Sequence, residues 1–155
     1  MWIQPRRSRC SSVGFILTLG LLLVAGAPGR EKFVQVFGDE FDIGVGTYKE
    51  MEVDPKYHAQ VAPACESFAL TSDQVRFFFR HSDVVDGPTY AKEYADYPCW
   101  IEGEGRFKGQ DFDWSVTPAG KGSLRSKDGE LTYVVCDADC AELFPNGGNM
   151  FAEDG

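Results

Sequence analysis

Basic residues are scarce in this chain: 15 Lys and Arg stand against 24 Asp and Glu, a formal charge of −9. Nucleic acid and anionic lipid headgroups are held by clustered Lys and Arg, so the balance argues against both as partners. Histidine is scarcer still, with His58 and His81 the only two and well separated. A zinc site built on a histidine pair is thereby excluded. No serine sits in a Gly-x-Ser-x-Gly elbow, which excludes a hydrolase of that design. Gly103, Gly105, Gly120 and Gly122 lack the Lys-Ser/Thr and the following helix of a phosphate-cradling loop. No apolar run reaches the ~20 residues of a membrane-spanning helix, and there is no internal repeat or low-complexity tract.

What is present begins at the N-terminus. Arg6, Arg7 and Arg9 precede an uncharged apolar run from Val13 to Ala25, and Ala25-Gly26-Ala27 supplies small residues for a signal peptidase. Residues 1–27 read as a cleaved secretory leader. Cutting after Ala27 would leave Pro28 at the new N-terminus, so cutting after Gly26 is the alternative. Cys10 departs with the leader, and no cysteine directly follows the run to carry a lipid. The expected address is periplasmic or secreted, with no stable membrane anchor after cleavage. Removing three arginines leaves 12 basic residues against 24 acidic ones, a charge of −12. A partner steered by charge is then a basic protein.

Cys65, Cys99, Cys136 and Cys140 form an even set in an exported chain, which predicts two disulfides. Three pairings are open. The spacing favours Cys136–Cys140 as a local clip and Cys65–Cys99 as a longer bridge. Cys136-Asp137-Ala138-Asp139-Cys140 could instead offer two thiolates and two carboxylates to a metal, but no second ligand pair accompanies it. Its three-residue spacing also departs from a redox Cys-x-x-Cys motif. No metal and no cofactor is therefore expected.

The clearest local signal is a helix beginning at residue 71. Thr71 and Gln74 have the spacing of a capping box, Leu70 and Val75 that of a hydrophobic staple, and Val75, Phe78 and Phe79 share one face. Phe77 falls on the flank, against a loop or a partner. Beyond Cys99 the period becomes two. Trp100 to Phe107, Phe112 to Val116, Ser123 to Lys127 and Leu131 to Cys136 read as an antiparallel meander, with Asp128-Gly129 as a hairpin turn. Phe33 to Phe37 reads as a short strand, Tyr48 to Val53 as extended, and residues 54–63 as a loop punctuated by Pro55 and Pro63. The expected fold is α+β: one main helix on a four- to five-stranded antiparallel sheet, disulfide-stabilised. It is one domain over 28–144 with a flexible tail at 145–155.

Candidate site residues are few. Tyr90, Tyr94 and Tyr97 precede Trp100 as an aromatic cluster suited either to recognition or to covering the sheet edge. Glu102 and Glu104 share a strand face about 7 Å apart, a spacing open to paired-carboxylate chemistry or to ordinary solvation. His81 ends the helix, where it serves as a general base or as a charge complementing the helix C-terminus. Asp39, Glu40 and Asp42 lack the loop pattern of a calcium site.

Cys99, Trp114, Gly120, Gly122, Asp128-Gly129, Cys136 and Cys140 together resemble the second half of a type of small exported bacterial protein to which no activity is assigned. The resemblance covers about a third of the chain, and it implies a sheet half and an envelope address. The functional expectation is an exported, acidic, non-catalytic binding protein, in its sharpest form an inhibitor or immunity protein for a basic partner. The alternatives are a small envelope enzyme using carboxylates or His81, and a structural envelope component.

Overall fold

A computed structural model describes residues 30–147. The leader at 1–27 and the end of the expected tail, 148–155, lie outside the described residues. In chain order the elements are β1 (Glu31–Lys32), α1 (Phe33–Phe37), β2 (Phe41–Ile43), β3 (Thr47–Glu50), α2 (Pro55–Glu66), α3 (Ser72–His81), β4 (Asp83–Val85), α4 (Gly87–Lys92), β5 (Cys99–Phe107), β6 (Gln110–Val116), β7 (Lys121–Ser126), β8 (Leu131–Val135) and a 3-10 helix (Ala138–Leu143).

The meander of the second half forms where alternation places it, as β5 to β8. It is not the whole sheet, and the expected fold needs correction. All pairings are antiparallel: seven of the eight strands run in the order β1-β4-β8-β7-β6-β5-β2, and the eighth, β3, pairs with β5. The result is a curled half-barrel with only short helices, not one main helix on four or five strands. The added strands are two to four residues long. Such segments hold too few residues for a period of two to show.

Two of them are one strand interrupted. Ile43 pairs with Gly105 and Thr47 with Glu102, so Gly44, Val45 and Gly46 face only Gly103 and Glu104. This is a bulge of one residue, which bends the strand and increases its twist. Gly44 N–H still donates to the Glu104 carbonyl at 2.9 Å.

Other local readings also change. Phe33–Phe37 is a helical turn, and Phe33 is fully buried against Phe41, Phe79 and Phe107. Residues 55–66 form α2: the Asp54 side chain accepts from Lys56 N–H at 3.0 Å, and Pro55 occupies the first turn, where its missing N–H is not needed. Pro63 lies inside this helix. The Asp128-Gly129 turn has positive φ at Gly129 alone, whereas Lys108 and Gly109 both have it and join β5 to β6 through a two-residue connection.

The capping box of α3 is present. Gln74 N–H donates to Thr71 Oγ1 at 3.2 Å, and Thr71 N–H donates to Gln74 Oε1 at 2.8 Å. Val75, Phe78 and Phe79 are buried beneath it, against Phe107, Trp114, Val116 and Leu124. From β8 the residue in this core is Val134. Tyr133 and Val135 lie on the opposite face, where Tyr90 of α4 covers Tyr133 at a ring separation of 4.4 Å. With both faces of β8 covered, alternation in the sequence does not tell one from the other.

Cys65 joins Cys99 and Cys136 joins Cys140, the pairing favoured by the spacing. The first ties α2 to β5, where Ala64, Tyr97 and Ala119 form a second small core. Residues 145–147, expected to fray, are bound: Gly147 N–H donates to the Phe144 carbonyl at 3.1 Å, and Asn146 Nδ2 to Ser67 Oγ at 2.9 Å.

Candidate functional site

The face of the sheet opposite α3 is covered at one end and open in the middle. At the covered end lie α4 and residues 93–97. Lys121 is 2% exposed, its amine set 4.4 Å from the Tyr90 ring centroid and bonded to the exposed carboxylate of Asp96. Burial, then the charges of Asp96 and Tyr133, push the Tyr90 phenol up to about 12. Tyr94 donates to Asp137 at 2.8 Å and accepts from Arg30 at 3.1 Å; burial first, then the bond to Asp137, raises its phenol as well. Tyr94 and Tyr97 are 3% and 8% exposed, so both serve the cover rather than a free aromatic surface.

The open part is a cleft of about 520 Å³ across β3, β5, β6 and β7. It collects Trp100, Glu102 and Glu104, three of the residues singled out from sequence. It adds Lys49 and Arg125, which sequence reasoning passed over, and Ser115 and Ser123, weighed there only as serines outside a nucleophile elbow. The signal for Ser115 and Ser123 was their polar place in an alternating strand, but only the β6–β7 register sets them opposite each other, their hydroxyls 2.9 Å apart. Trp100 Nε1 donates to Glu102 Oε2 at 2.7 Å, and Lys49 Nζ lies 3.7 Å from Glu102 Oε1. Gly103 and Trp114 also border the cleft.

His81 lies elsewhere. Its ring stacks on Phe77 at 3.9 Å, and Nδ1 is 2.9 Å from the Phe77 carbonyl. It belongs to α3, on the other side of the sheet from Glu102 and Glu104, so these groups form no common catalytic constellation. His58 borders a shallow pocket with Glu50, Met51 and Glu52. Among the described residues no group of three or more His, Cys, Asp or Glu is placed to hold a metal. The thiols of Cys136 and Cys140 are joined to each other, and Asp137 is held by Arg30 at 3.0 Å.

A second surface feature surrounds Phe77, which is 41% exposed although its chain neighbour Phe78 is wholly buried. Its ring borders a groove of about 310 Å³ with Leu143 and three acids, Asp73, Asp139 and Glu142.

The described residues form a disulfide-bonded, curled antiparallel sheet domain that carries a polar cleft and an acid-rimmed apolar groove. No family model matches the chain, and no curated protein or solved structure matches it.

Proposed function

We propose that this chain is an exported, non-catalytic binding protein that holds a basic protein partner at the Phe77 groove, as an inhibitor or immunity protein does. The observation that carries the reading is an exposed phenylalanine ringed by Asp73, Asp139 and Glu142 on a chain with twice as many acids as bases outside its leader. An aromatic anchor in a pocket is the usual centre of a protein interface, and a rim of one charge selects the partner and speeds its arrival. The complementary surface is an apolar side chain flanked by Lys or Arg.

Two disulfides among the described residues fit an oxidising compartment, and no described helix is long and apolar enough to cross a membrane. A periplasmic or secreted address, and the leader at 1–27 that would deliver the chain there, belong to the same proposal.

The test is capture from envelope and culture-medium extracts on the immobilised protein, compared with Phe77→Ala and with the double variant Asp139→Asn, Glu142→Gln. The wild type should retain a basic protein at about 50 mM salt and release it towards about 1 M, where the screening length falls from over 10 Å to about 3 Å. Phe77→Ala should weaken retention at least about tenfold while leaving the melting temperature in place, because the ring is not part of the core. Retention of the same proteins by all three forms would sink the proposal.

A further inference from the structure

The cleft on the opposite sheet face takes no part in that docking, and its lining has its own chemistry. Thr47, Glu102, Ser115 and Ser123 are register partners on β3, β5, β6 and β7. Neighbouring strands lie about 4.8 Å apart, so the row sets an oxygen-bearing group at each step over about 14 Å. That step is close to the advance of one pyranose ring along an extended glycan. Ser115 and Ser123 bond to each other at 2.9 Å, which uses one of their two protons and leaves one donor and several lone pairs for a ligand.

Charge decides between ligand classes. Lys49 sits beside Glu102 at 3.7 Å, and Lys127 pairs with Asp113 at 3.3 Å. Of the cleft's charged side chains, only Glu104 and Arg125 have no ion pair or hydrogen bond among the described residues, and their signs cancel. A balanced field of this kind attracts neither a cation nor an anion, whereas a neutral polyol can use every donor and acceptor present.

Trp100 supplies the apolar element. It is half-buried, and its indole N–H is fixed on Glu102 at 2.7 Å, so its orientation is set before a ligand arrives and little ordering is left to be done on binding. An aromatic face held in this way suits the C–H face of a sugar ring. The volume of about 520 Å³ lies within the range of small-ligand sites.

We infer that the cleft binds a neutral glycan strand, laid along the Thr47, Glu102, Ser115 and Ser123 row and stacked on Trp100. This site is separate from the Phe77 groove, and its ligand is recognised by hydroxyl pairing rather than by charge.

The experiment titrates the purified exported protein with linear neutral gluco-, xylo- and chito-oligosaccharides, with a uronic-acid oligosaccharide as the charged control. Binding is read by tryptophan fluorescence and calorimetry. Outside the leader only Trp100 and Trp114 report, and Trp114 is 2% exposed. At least one neutral series should saturate the signal by ~5 mM, as a Kd of about 1 mM or tighter requires. Its affinity should be unchanged by salt, lowered at least about tenfold by Trp100→Ala, and lowered several-fold by Ser115→Ala with Ser123→Ala, each with the melting temperature checked. Phe77→Ala should bind the glycan as the wild type does, which separates this inference from the docking surface. Trp100→Phe should keep the fold and part of the affinity if Trp100→Ala proves unstable. Absence of binding by every neutral series, binding that survives both the Trp100 and the serine variants, or tighter salt-sensitive binding of the uronic-acid series would each overturn it.

Discussion

Trp114 is the residue around which the sheet is shaped. It is 2% exposed, and its Nε1 donates to the Glu104 carbonyl at 2.9 Å. Its ring lies where two glycines leave room. A Cβ on Gly103 would stand 2.6 Å from Trp114 Cζ2, and one on Gly46 would stand 2.3 Å from Ile101 Cγ2 and 2.9 Å from Trp114 Cη2. All three distances are shorter than carbon atoms tolerate, so these positions are glycine for reasons of space. Gly103→Ala should therefore lower stability by about 1–3 kcal/mol, as overpacking does. Trp114→Ala should lower it by about 3–5 kcal/mol through the cavity it leaves. The two effects are coupled: with the ring removed, the methyl at position 103 has nothing to strike. In denaturant unfolding of the four forms, Gly103→Ala should cost only a few tenths of a kcal/mol in the Trp114→Ala background. Additive losses would mean that the glycine serves something other than the indole. Because Gly103 and Trp114 also border the cleft, the same clash should reach the ligand site before it unfolds the domain.

At the scale of elements, what could be read from the chain was what local chemistry determines. The start of α3 is written in Thr71 and Gln74, which bond only to each other's backbone and need no tertiary partner. Thr71→Ala should accordingly cost about 1 kcal/mol, measurable as a lowered denaturation midpoint with an unchanged slope; no loss would mean that packing alone sets this end of the helix. The strands β5 to β8 were legible because each has one face on the core over five residues or more. What escaped reading depends on distant partners. Asp83–Val85 becomes a strand by pairing with β8, and Glu31–Lys32 by pairing with β4. Phe33–Phe37 has the apolar, β-branched make-up of a short strand around Gln35, yet it turns helical so that Phe33 can enter the aromatic cluster of Phe41, Phe79 and Phe107. The cleft was half legible. Trp100, Glu102 and Glu104 stand close together in sequence, while Ser115, Ser123, Lys49 and Arg125 reach them only through register.

For the whole molecule, the half-barrel has two coverings of different kinds. Over one face, α1, α3 and the 3-10 helix bury phenylalanines, a union insensitive to pH. Over the other, α4 and residues 93–97 hold the sheet through three tyrosines and Lys121, whose amine lies against the Tyr90 ring. Burial raises the phenols of Tyr90, Tyr94 and Tyr97, that of Tyr90 to about 12. An unfolded tyrosine titrates near 10. The folded state thus binds the phenolic proton more tightly than the unfolded one. Its contribution to stability is complete below pH ~10 and is lost as the pH rises through the folded value. The second covering should therefore loosen between pH 10 and about 12 while the phenylalanine core persists. Melting temperatures from pH 8 to 11 should stay level and then fall. Tyr90→Phe keeps the ring against Tyr133 and removes its phenol, so its curve should fall less steeply over the last unit. A Tyr90→Phe curve parallel to the wild type throughout would show that the Tyr90 proton contributes nothing to holding this covering in place. Because α4 and residues 93–97 flank the cleft on the same face, Trp100 should become more exposed in the alkaline range, with a red shift of its emission ahead of global unfolding.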